Sequence, residues 1–210
     1  MKKHFELTKE FKINFLGVKL FRIKATVKSK YAEVGDLGGW IEKEENLSGN
    51  AWVSGNAEVY GNAWVSDNAW VSGNARVSDN AWVSGNAEVY GNARVSGNAW
   101  VSGKARVSGN AWVSGNAWVS GNAWVYGNAW VSGNADTKSN NDYCCFQNFG
   151  STNRTTTFFK EKNSKVKVSC GCFSGSIEEF EKQVKETHGE GKYAKEYLSI
   201  IEVVKIKFGL

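Results

Sequence analysis

The sequence predicts an all-β solenoid, a triangular parallel β-helix of about five coils, with a short β N-terminal cap and a small α+β C-terminal domain. Three observations lead to this fold class. A six-residue phrase of the form Val-Ser-Gly-Asn-Ala-Trp repeats fifteen times between Leu47 and Asp136. Within each phrase, an Ala and the aliphatic residue two positions later alternate with polar or aromatic residues. A Gly-Asn pair recurs every six residues, replaced only by Asp67-Asn68, Asp79-Asn80 and Gly103-Lys104, and a short fixed period is typical of solenoids.

The alternation within each phrase predicts a short strand. Alternate side chains of a strand share a face, so Ala and Val point inward, and the residue between them points outward with Ser or Tyr. Gly and Asn accept positive φ at low cost, so each Gly-Asn pair predicts a corner. Three strands and three corners make one coil of eighteen residues, and the repeats from 47 to 136 supply five such coils.

The repeats from Leu47 onward resemble those of the hexapeptide-repeat, left-handed parallel β-helix family. That resemblance implies a triangular β-helix, and it favours the left-handed form over a right-handed, bactofilin-like β-helix. It also implies a homotrimer packed through one face of the prism. It says little about activity, because one fold supports many functions.

One outer face of the predicted solenoid carries a column of tryptophans. Spacing by eighteen residues aligns Trp64, Trp82, Trp100 and Trp118, here called the tryptophan ladder, with Asp136 at its end. The other two columns are Trp52, Trp70, Glu88, Arg106 and Trp124, and Glu58, Arg76, Arg94, Trp112 and Trp130. Four adjacent tryptophans exceed the apolar area that soluble monomers usually expose. The ladder therefore predicts a subunit interface; the alternatives are a platform for a flat ligand and tryptophans that pack only on each other.

Residues 1–46 predict an N-terminal β cap and a lead-in to the repeats. Alternating apolar residues between 5 and 31 predict two strands, with a turn at Leu16-Gly17-Val18. Such a cap would cover the open strand edges of the first coil. We expect Gly38-Gly39 to form a tight turn into that coil. The lead-in Val34–Ser48 followed by Gly-Asn-Ala-Trp-Val repeats resembles small proteins of phages and prophages of Gram-positive bacteria.

The composition changes after Asp136. Residues 137–142 predict a polar linker, and residues 143–210 predict the α+β domain. Expected strands cover Tyr143–Gln147, Thr155–Lys160 and Lys165–Cys170. Ser176 begins a helix through a capping box and is followed by an apolar stripe. Residues 192–207 predict a helix or a helix followed by a strand, and the expected inward stripe is Tyr193, Tyr197, Ile200 and Ile201.

The polar residues of the C-terminal domain offer one candidate site. Arg154, Thr155 and Thr156 lie in or beside a loop between two predicted strands, and an Arg among hydroxyls suits a phosphate or a carboxylate. His188, at a predicted helix end, completes this candidate anion or ligand site. The alternatives are a solvated hairpin turn and a histidine that only interacts with the helix dipole.

The chain offers little catalytic chemistry, and we expect no enzyme activity, no metal and no cofactor. Only His4 and His188 are present, whereas acyltransferases of the resembled family use a histidine beside a coil and their carbonic anhydrases use three. Adjacent Cys144-Cys145 and Cys170-x-Cys172 are poor matches to zinc knuckles. Free thiols are the expected state, and a Cys–His nucleophile pair is the alternative.

Charge and hydropathy restrict the possible partners. The net charge of +5 is spread among alternating lysines and glutamates, so nucleic-acid binding is not expected. No run of about twenty apolar residues exists to span a membrane. Glu6, Lys9 and Glu10 interrupt any signal core after Met1-Lys2-Lys3, so we expect a cytoplasmic protein of the bacterial host.

Two function classes follow, with an acyltransferase-like enzyme a distant third. The first is a non-enzymatic, phage-encoded binding or scaffold protein. As a homotrimer, it would capture a host component, such as an antiviral defence protein or its nucleotide signal. The second is a structural spacer or a filament-forming β-helix protein.

Overall fold

The computed structural model describes residues 3–210, so the first two residues of the predicted cap lie outside the described residues. The chain forms a parallel β-solenoid of about five turns, preceded by an antiparallel β cap and followed by a four-stranded sheet with two helices. This architecture confirms the predicted fold class; the left-handed form stays a prediction. No helix within residues 3–210 combines the length and the apolarity needed to cross a membrane.

The N-terminal cap extends one face of the solenoid. Strands β1 (Phe5–Ile13) and β2 (Lys19–Ala25) form the predicted hairpin, and β3 (Leu37–Ile41) pairs antiparallel with β2. The other edge of β3 pairs in parallel with the solenoid strand that begins at Glu58. Ile23 and Ile41 are fully buried in the same core as the first coil. The cap therefore continues both the sheet and the core of the solenoid.

The expectation for Gly38-Gly39 is wrong. Both glycines lie inside β3 rather than in a turn. A Cβ on Gly38 would lie 2.6 Å from the carbonyl oxygen of Val53, and one on Gly39 would lie 2.8 Å from that of Ala57. Glycine is needed here because the cap backbone lies directly against the first coil.

The repeat region forms fifteen two-residue strands. These are β4 (Trp52–Val53), β5 (Glu58–Val59), β6 (Trp64–Val65), β7 (Trp70–Val71), β8 (Arg76–Val77), β9 (Trp82–Val83), β10 (Glu88–Val89), β11 (Arg94–Val95), β12 (Trp100–Val101), β13 (Arg106–Val107), β14 (Trp112–Val113), β15 (Trp118–Val119), β16 (Trp124–Val125), β17 (Trp130–Val131) and β18 (Asp136–Thr137). Each pairs in parallel with the strand eighteen residues away, which makes three sheets. The three predicted columns are thereby confirmed.

The corners explain why glycine recurs at most of the six-residue steps. Gly91, for example, has φ of +72°, and a Cβ there would lie 3.1 Å from the backbone nitrogen of Gly109 in the next coil. Asp67 and Asp79 adopt the same positive φ. The carboxylate of Asp79 accepts a hydrogen bond from the backbone N–H of Gly97, one coil further on, which compensates for the strained backbone.

Side chains close the first coil of the solenoid. Coil edges expose backbone groups that need partners when no further coil follows. The ring Nε2 of His4 lies 2.7 Å from the carbonyl oxygen of Ala51, and since a carbonyl can only accept, Nε2 donates. The Asn46 amide, from the 3₁₀ turn Glu44–Asn46, donates to the carbonyl of Ala63. His4 therefore has a structural role.

The last coil is closed by the C-terminal domain. Trp124 N–H donates to the Asn140 side chain, and Trp130 N–H donates to the Thr157 hydroxyl. Tyr143 and Phe159 are buried in the solenoid core. The predicted linker begins one residue early, because Thr137 is fully buried in β18.

The C-terminal domain is an antiparallel sheet with two helices on one face. Its strands are β19 (Tyr143–Phe149), β20 (Arg154–Lys160), β21 (Val166–Cys170) and β22 (Phe173–Ser176), and its helices are α1 (Ile177–His188) and α2 (Lys192–Phe208). Sequence reasoning missed β22. The capping box at Ser176 is confirmed, since its hydroxyl accepts from Glu179 N–H and the Glu179 carboxylate accepts from Ser176 N–H. α2 is helical throughout, and Tyr193 points outward rather than inward.

Candidate functional site

The tryptophan ladder is a continuous stack. Ring centroids lie 4.9 Å apart for Trp64 and Trp82, 4.5 Å for Trp82 and Trp100, and 5.0 Å for Trp100 and Trp118. Only the middle step is tilted, with an interplanar angle of 34°. Each inner ring is therefore covered on both faces by its neighbours, at separations that favour aromatic contact.

Serines one coil earlier anchor many of the solenoid tryptophans. In the ladder, the indole N–H of Trp64 donates to Ser48 at 2.7 Å and that of Trp82 donates to Ser66 at 3.2 Å. The N–H groups of Trp100 and Trp118 are buried and have no hydrogen-bond partner among residues 3–210. The tilt between Trp82 and Trp100 therefore separates a hydrogen-bonded half of the ladder from an unsatisfied half.

This geometry limits what the ladder can bind. A flat ligand stacks on exposed ring faces, but the inner faces are occupied and only the edges point outward. At the last rung, the Lys162 ammonium lies 5.3 Å from the Trp118 ring centroid. Trp64, at the first rung, is 41% exposed, whereas the other three rungs are partly buried. The arrangement suits edge-on packing against a protein surface better than a stacking platform.

A second candidate site is a cavity of about 490 Å³ in the C-terminal domain. It lies where the ends of β20, β21 and β22 meet α1 and α2. Its lining includes Arg154, Cys172, Phe173, Phe180, His188 and Tyr197. The volume is within the range of pockets that hold small molecules.

Arg154 supplies the positive charge of this cavity. Gly171, at φ of +61°, leaves room for it, because a Cβ at that position would lie 2.5 Å from Arg154 Nη1. Arg22, Arg76 and Arg106 each form an ion pair, but no carboxylate within residues 3–210 pairs with Arg154. The guanidinium keeps its planar array of donors free for an anion.

Aromatic rings also line the cavity. Phe173 and Phe180 lie 5.2 Å apart, and the His188 ring stacks on Tyr197 at 6.0 Å with an interplanar angle of 21°. His188 is the last residue of α1, and the N–H of Gly189 closes that helix by donating to the Lys185 carbonyl. The cavity therefore joins one cation and one imidazole to an apolar aromatic surface.

Tyr197 also lines the cavity and is itself buried. Gly150 permits its approach, since a Cβ there would overlap the phenol ring. Burial, with the nearby Cys170 thiol, raises the pKa of Tyr197 to about 12. The hydroxyl thus stays protonated at neutral pH and acts as a neutral hydrogen-bonding group.

The structure brings together Arg154 and His188, but not the two threonines. Thr156 is fully buried and its hydroxyl donates to Cys170 Sγ at 3.2 Å, while Thr155 is half-buried beside it. Neither lines the cavity. Sequence reasoning also missed Tyr197, Phe173 and Phe180 as cavity residues. The apolar stripe of α1 marked Phe180 as buried, but not as the wall of a cavity.

The four cysteines are free thiols. Burial raises the pKa of Cys144 to about 12 and also raises that of Cys145. Cys170 is buried, whereas Cys172 is exposed and lines the same cavity as His188. Within residues 3–210, no group of three or more His, Cys, Asp or Glu side chains could hold a metal ion.

Comparison with known proteins identifies the repeats. The family model described as "YdcK Beta solenoid repeat" matches residues 69–85, 87–103, 105–121 and 117–133. The first three matches begin eighteen residues apart, which is the length of one coil of this solenoid. No curated protein matches the chain. The matches and the five-turn solenoid support a repeat β-helix family for the segment between the cap and the C-terminal domain.

Proposed function

We propose that this chain is a non-enzymatic binding protein whose C-terminal cavity captures a small aromatic anion. The observation that carries this proposal is the Arg154 guanidinium, which has no carboxylate partner among the described residues 3–210 and lines the same cavity as Phe173 and Phe180. An Arg without a carboxylate partner holds an anion with two parallel hydrogen bonds. The solenoid acts as a rigid support, because its core is continuous with the sheet that carries Arg154.

A nucleotide is the ligand class that fits these groups best. Its phosphate would meet Arg154 and His188, and its base would lie against the aromatic wall. The cavity volume of about 490 Å³ is sufficient for a mononucleotide-sized ligand. The resemblance of the lead-in and repeats to phage proteins suggests a setting: a phage-encoded protein in the bacterial cytoplasm that sequesters a host nucleotide signal. Capture of a host antiviral defence protein is the alternative in the same class.

Calorimetric titration tests the ligand proposal. We expect at least one member of a panel of mononucleotides and cyclic dinucleotides to bind tighter than about 10 μM, a free energy of about −7 kcal/mol. Arg154→Gln should weaken that binding at least tenfold, and His188→Ala should weaken it less. Arg94→Gln is the matched control, because Arg94 is an exposed solenoid arginine outside the cavity. Equal affinities for the Arg154 and Arg94 variants would reject the site.

The proposal includes self-association through the tryptophan ladder, with a homotrimer favoured. Its support is the outward row of indole edges, which forms an apolar strip along one sheet. The double variant Trp82→Glu with Trp100→Glu should lose this assembly while each solenoid stays folded. An unchanged oligomeric mass would show that the ladder is not an interface.

The structural alternative requires coils that stack end to end. The caps at both ends of the solenoid oppose such stacking, because His4, Asn46, Asn140 and Thr157 already satisfy the edge groups. Electron microscopy of concentrated protein distinguishes the alternatives: filaments would favour the spacer, and discrete particles the binding protein. The enzyme alternative rests on Cys172 and His188. A catalytic activity that is lost in the double variant Cys172→Ser with His188→Ala would support it.

A further inference from the structure

The loop that joins β19 to β20, residues 150–153, belongs to the C-terminal cavity. Its Ser151 and Thr152 line the cavity, and Arg154 follows the loop as the first residue of β20. Arg154 is paired with Phe149 across the hairpin. The loop therefore closes directly on the residue whose guanidinium carries the proposed function.

This loop is anchored at one residue, Gly150. Gly150 is buried, and its N–H donates to the Glu196 carboxylate of α2 at 2.9 Å. Its carbonyl accepts from the N–H of Asn153 at 3.3 Å, which closes the turn. Within residues 3–210, no other group of the loop forms a hydrogen bond outside residues 150–153. The position of the turn relative to α2 therefore depends on the contacts of Gly150.

Two consecutive residues of α2 satisfy both polar groups of the Phe149–Gly150 peptide. Glu196 accepts from the N–H of this peptide, and the Tyr197 hydroxyl donates to its carbonyl at 3.4 Å. The backbone around the peptide needs such support, because Asn148 and Asn153 adopt positive φ of +65° and +50°. A strained turn keeps one conformation only where its surroundings determine it.

We propose that Glu196 is a positioning residue of the anion site, which holds the loop, and through it Arg154, in the conformation that binds. This inference rests on the proposed function of the cavity. Glu196 lines a different recess, between α2 and β19, so it acts through the Gly150 peptide rather than by contact with the anion. Its two oxygens have separate partners: Oε2 takes the Gly150 N–H, and Oε1 lies 3.7 Å from the Lys192 ammonium.

The charge of Glu196 and its geometry act on the anion in opposite directions. A carboxylate near an anion site repels the ligand. Burial raises the pKa of Tyr197, Arg154 opposes this rise and Glu196 adds to it, so both charges reach the cavity. If only charge mattered, every neutral substitution of Glu196 would tighten binding. If Glu196 positions the loop, a substitution that removes the hydrogen-bond acceptor should weaken binding.

Calorimetric titration of matched variants with adenosine monophosphate tests this inference. Glu196→Gln keeps an acceptor for the Gly150 N–H and removes the charge, so its affinity should equal or exceed that of the wild type. Glu196→Ala removes the acceptor and should weaken binding about tenfold, because the hydrogen bond that it loses involves a charged group. Glu202→Ala is the control, since it removes only an ion pair with Lys205 on the same helix. Its affinity should be unchanged.

NMR of the ligand-free protein shows whether the loop has moved. The Gly150 amide and the Arg154 Nε–H signals should both shift in Glu196→Ala, whereas the Arg154 signal should keep its place in Glu196→Gln and in Glu202→Ala. Circular dichroism should show unchanged helix content for all three variants.

Three outcomes would overturn the inference and leave the nucleotide site intact. They are equal affinities of Glu196→Ala and the wild type, tighter binding by both Glu196 variants, and weaker binding by Glu196→Ala with an unmoved Arg154 signal. A wild-type protein that does not bind adenosine monophosphate would instead reject the proposed site for this nucleotide, and the positioning role with it.

Discussion

The solenoid and the C-terminal domain bury their apolar residues in opposite ways. Every inward Ala and Val between Ala51 and Val131 is at most 1% exposed, and these small residues line the interior of the coils between the two capped ends. The C-terminal domain instead packs large rings at edge-to-face angles, such as Phe158 on Phe180 at 6.1 Å. Identical small residues stack without gaps, whereas rings of different orientation leave recesses. In the proposed function, the solenoid would therefore act as the support and the C-terminal domain would carry the binding cavity.

The two regions therefore differ in how much each buried residue contributes to stability. In the solenoid many small residues contribute a little each, whereas in the C-terminal domain a few large residues contribute most. Each coil adds a few buried methyl groups and the same set of backbone hydrogen bonds. The domain depends on a few rings that each bury a large area. Matched substitutions in the two regions should therefore differ in size.

The largest effect is expected for Phe158→Ala. Phe158 is fully buried beneath α1, and its loss should reduce the free energy of unfolding of the domain by about 3–5 kcal/mol. Val101→Ala, at an equally buried position of a central coil, should cost about 2 kcal/mol because fewer atoms are removed. Urea unfolding followed by circular dichroism measures both. Equal losses would contradict the contrast between the two cores.

A corner glycine of the solenoid should tolerate replacement by Asp better than replacement by Val. Gly91→Val places a branched side chain at φ of +72° and should cost about 2 kcal/mol or more. Gly91→Asp should cost much less, because Asp79 occupies an equivalent corner and accepts from the next coil. Thermal unfolding of both variants checks the order. A larger loss for Asp than for Val would refute the proposed role of the corner carboxylate.

A smaller difference is expected within the ladder. Trp82→Phe removes an indole that donates to Ser66, whereas Trp100→Phe removes one whose N–H has no hydrogen-bond partner in the described part of the chain. The two substitutions remove similar apolar area, so Trp82→Phe should be more destabilising by about 1 kcal/mol. Chemical denaturation of the variants decides the order, and a larger loss at Trp100 would show that its N–H is satisfied.

The smallest effect concerns the joint between the regions. Burial alone would raise the pKa of Asp142, but hydrogen bonds from Lys160, Ser139 and the Lys138 backbone outweigh it and lower that pKa. This stabilisation is fully present above the ordinary carboxyl value of 3.8 and is lost as the pH falls through the lowered pKa. Asp142→Asn should therefore cost less than about 1 kcal/mol at pH 7. The loss should shrink as the pH falls below that value, which thermal scans over acidic pH would show.

The sequence predicts the solenoid closely because one local rule applies at every coil. The eighteen-residue spacing aligned the columns, and the Ala–Val alternation gave the interior. The same kind of rule failed at β20, where Thr156 and Thr157 are both buried. Thr156 faces the helices and Thr157 faces the end of the solenoid. Because both faces of this sheet are covered, successive residues of β20 are buried and no alternation of apolar and polar residues marks the strand.

The cavity could be predicted only in part. Arg154 and His188 stood out through their own chemistry, but they are separated by 34 positions, and no local period connects them. The rings around them come from β22 and two helices, and sequence reasoning missed β22. The packing of α1 and α2 on the sheet determines the cavity, and this packing has no repeat.

The most direct test of the proposed binding site is a side-chain NMR titration. Adenosine monophosphate would be added to ¹⁵N-labelled protein while the Nε–H signals of the arginines are recorded. We expect a saturable shift for Arg154, which should disappear in Arg154→Gln, and no shift for Arg94. An unmoved Arg154 signal, or equal shifts for both arginines, would contradict a nucleotide site in the C-terminal cavity.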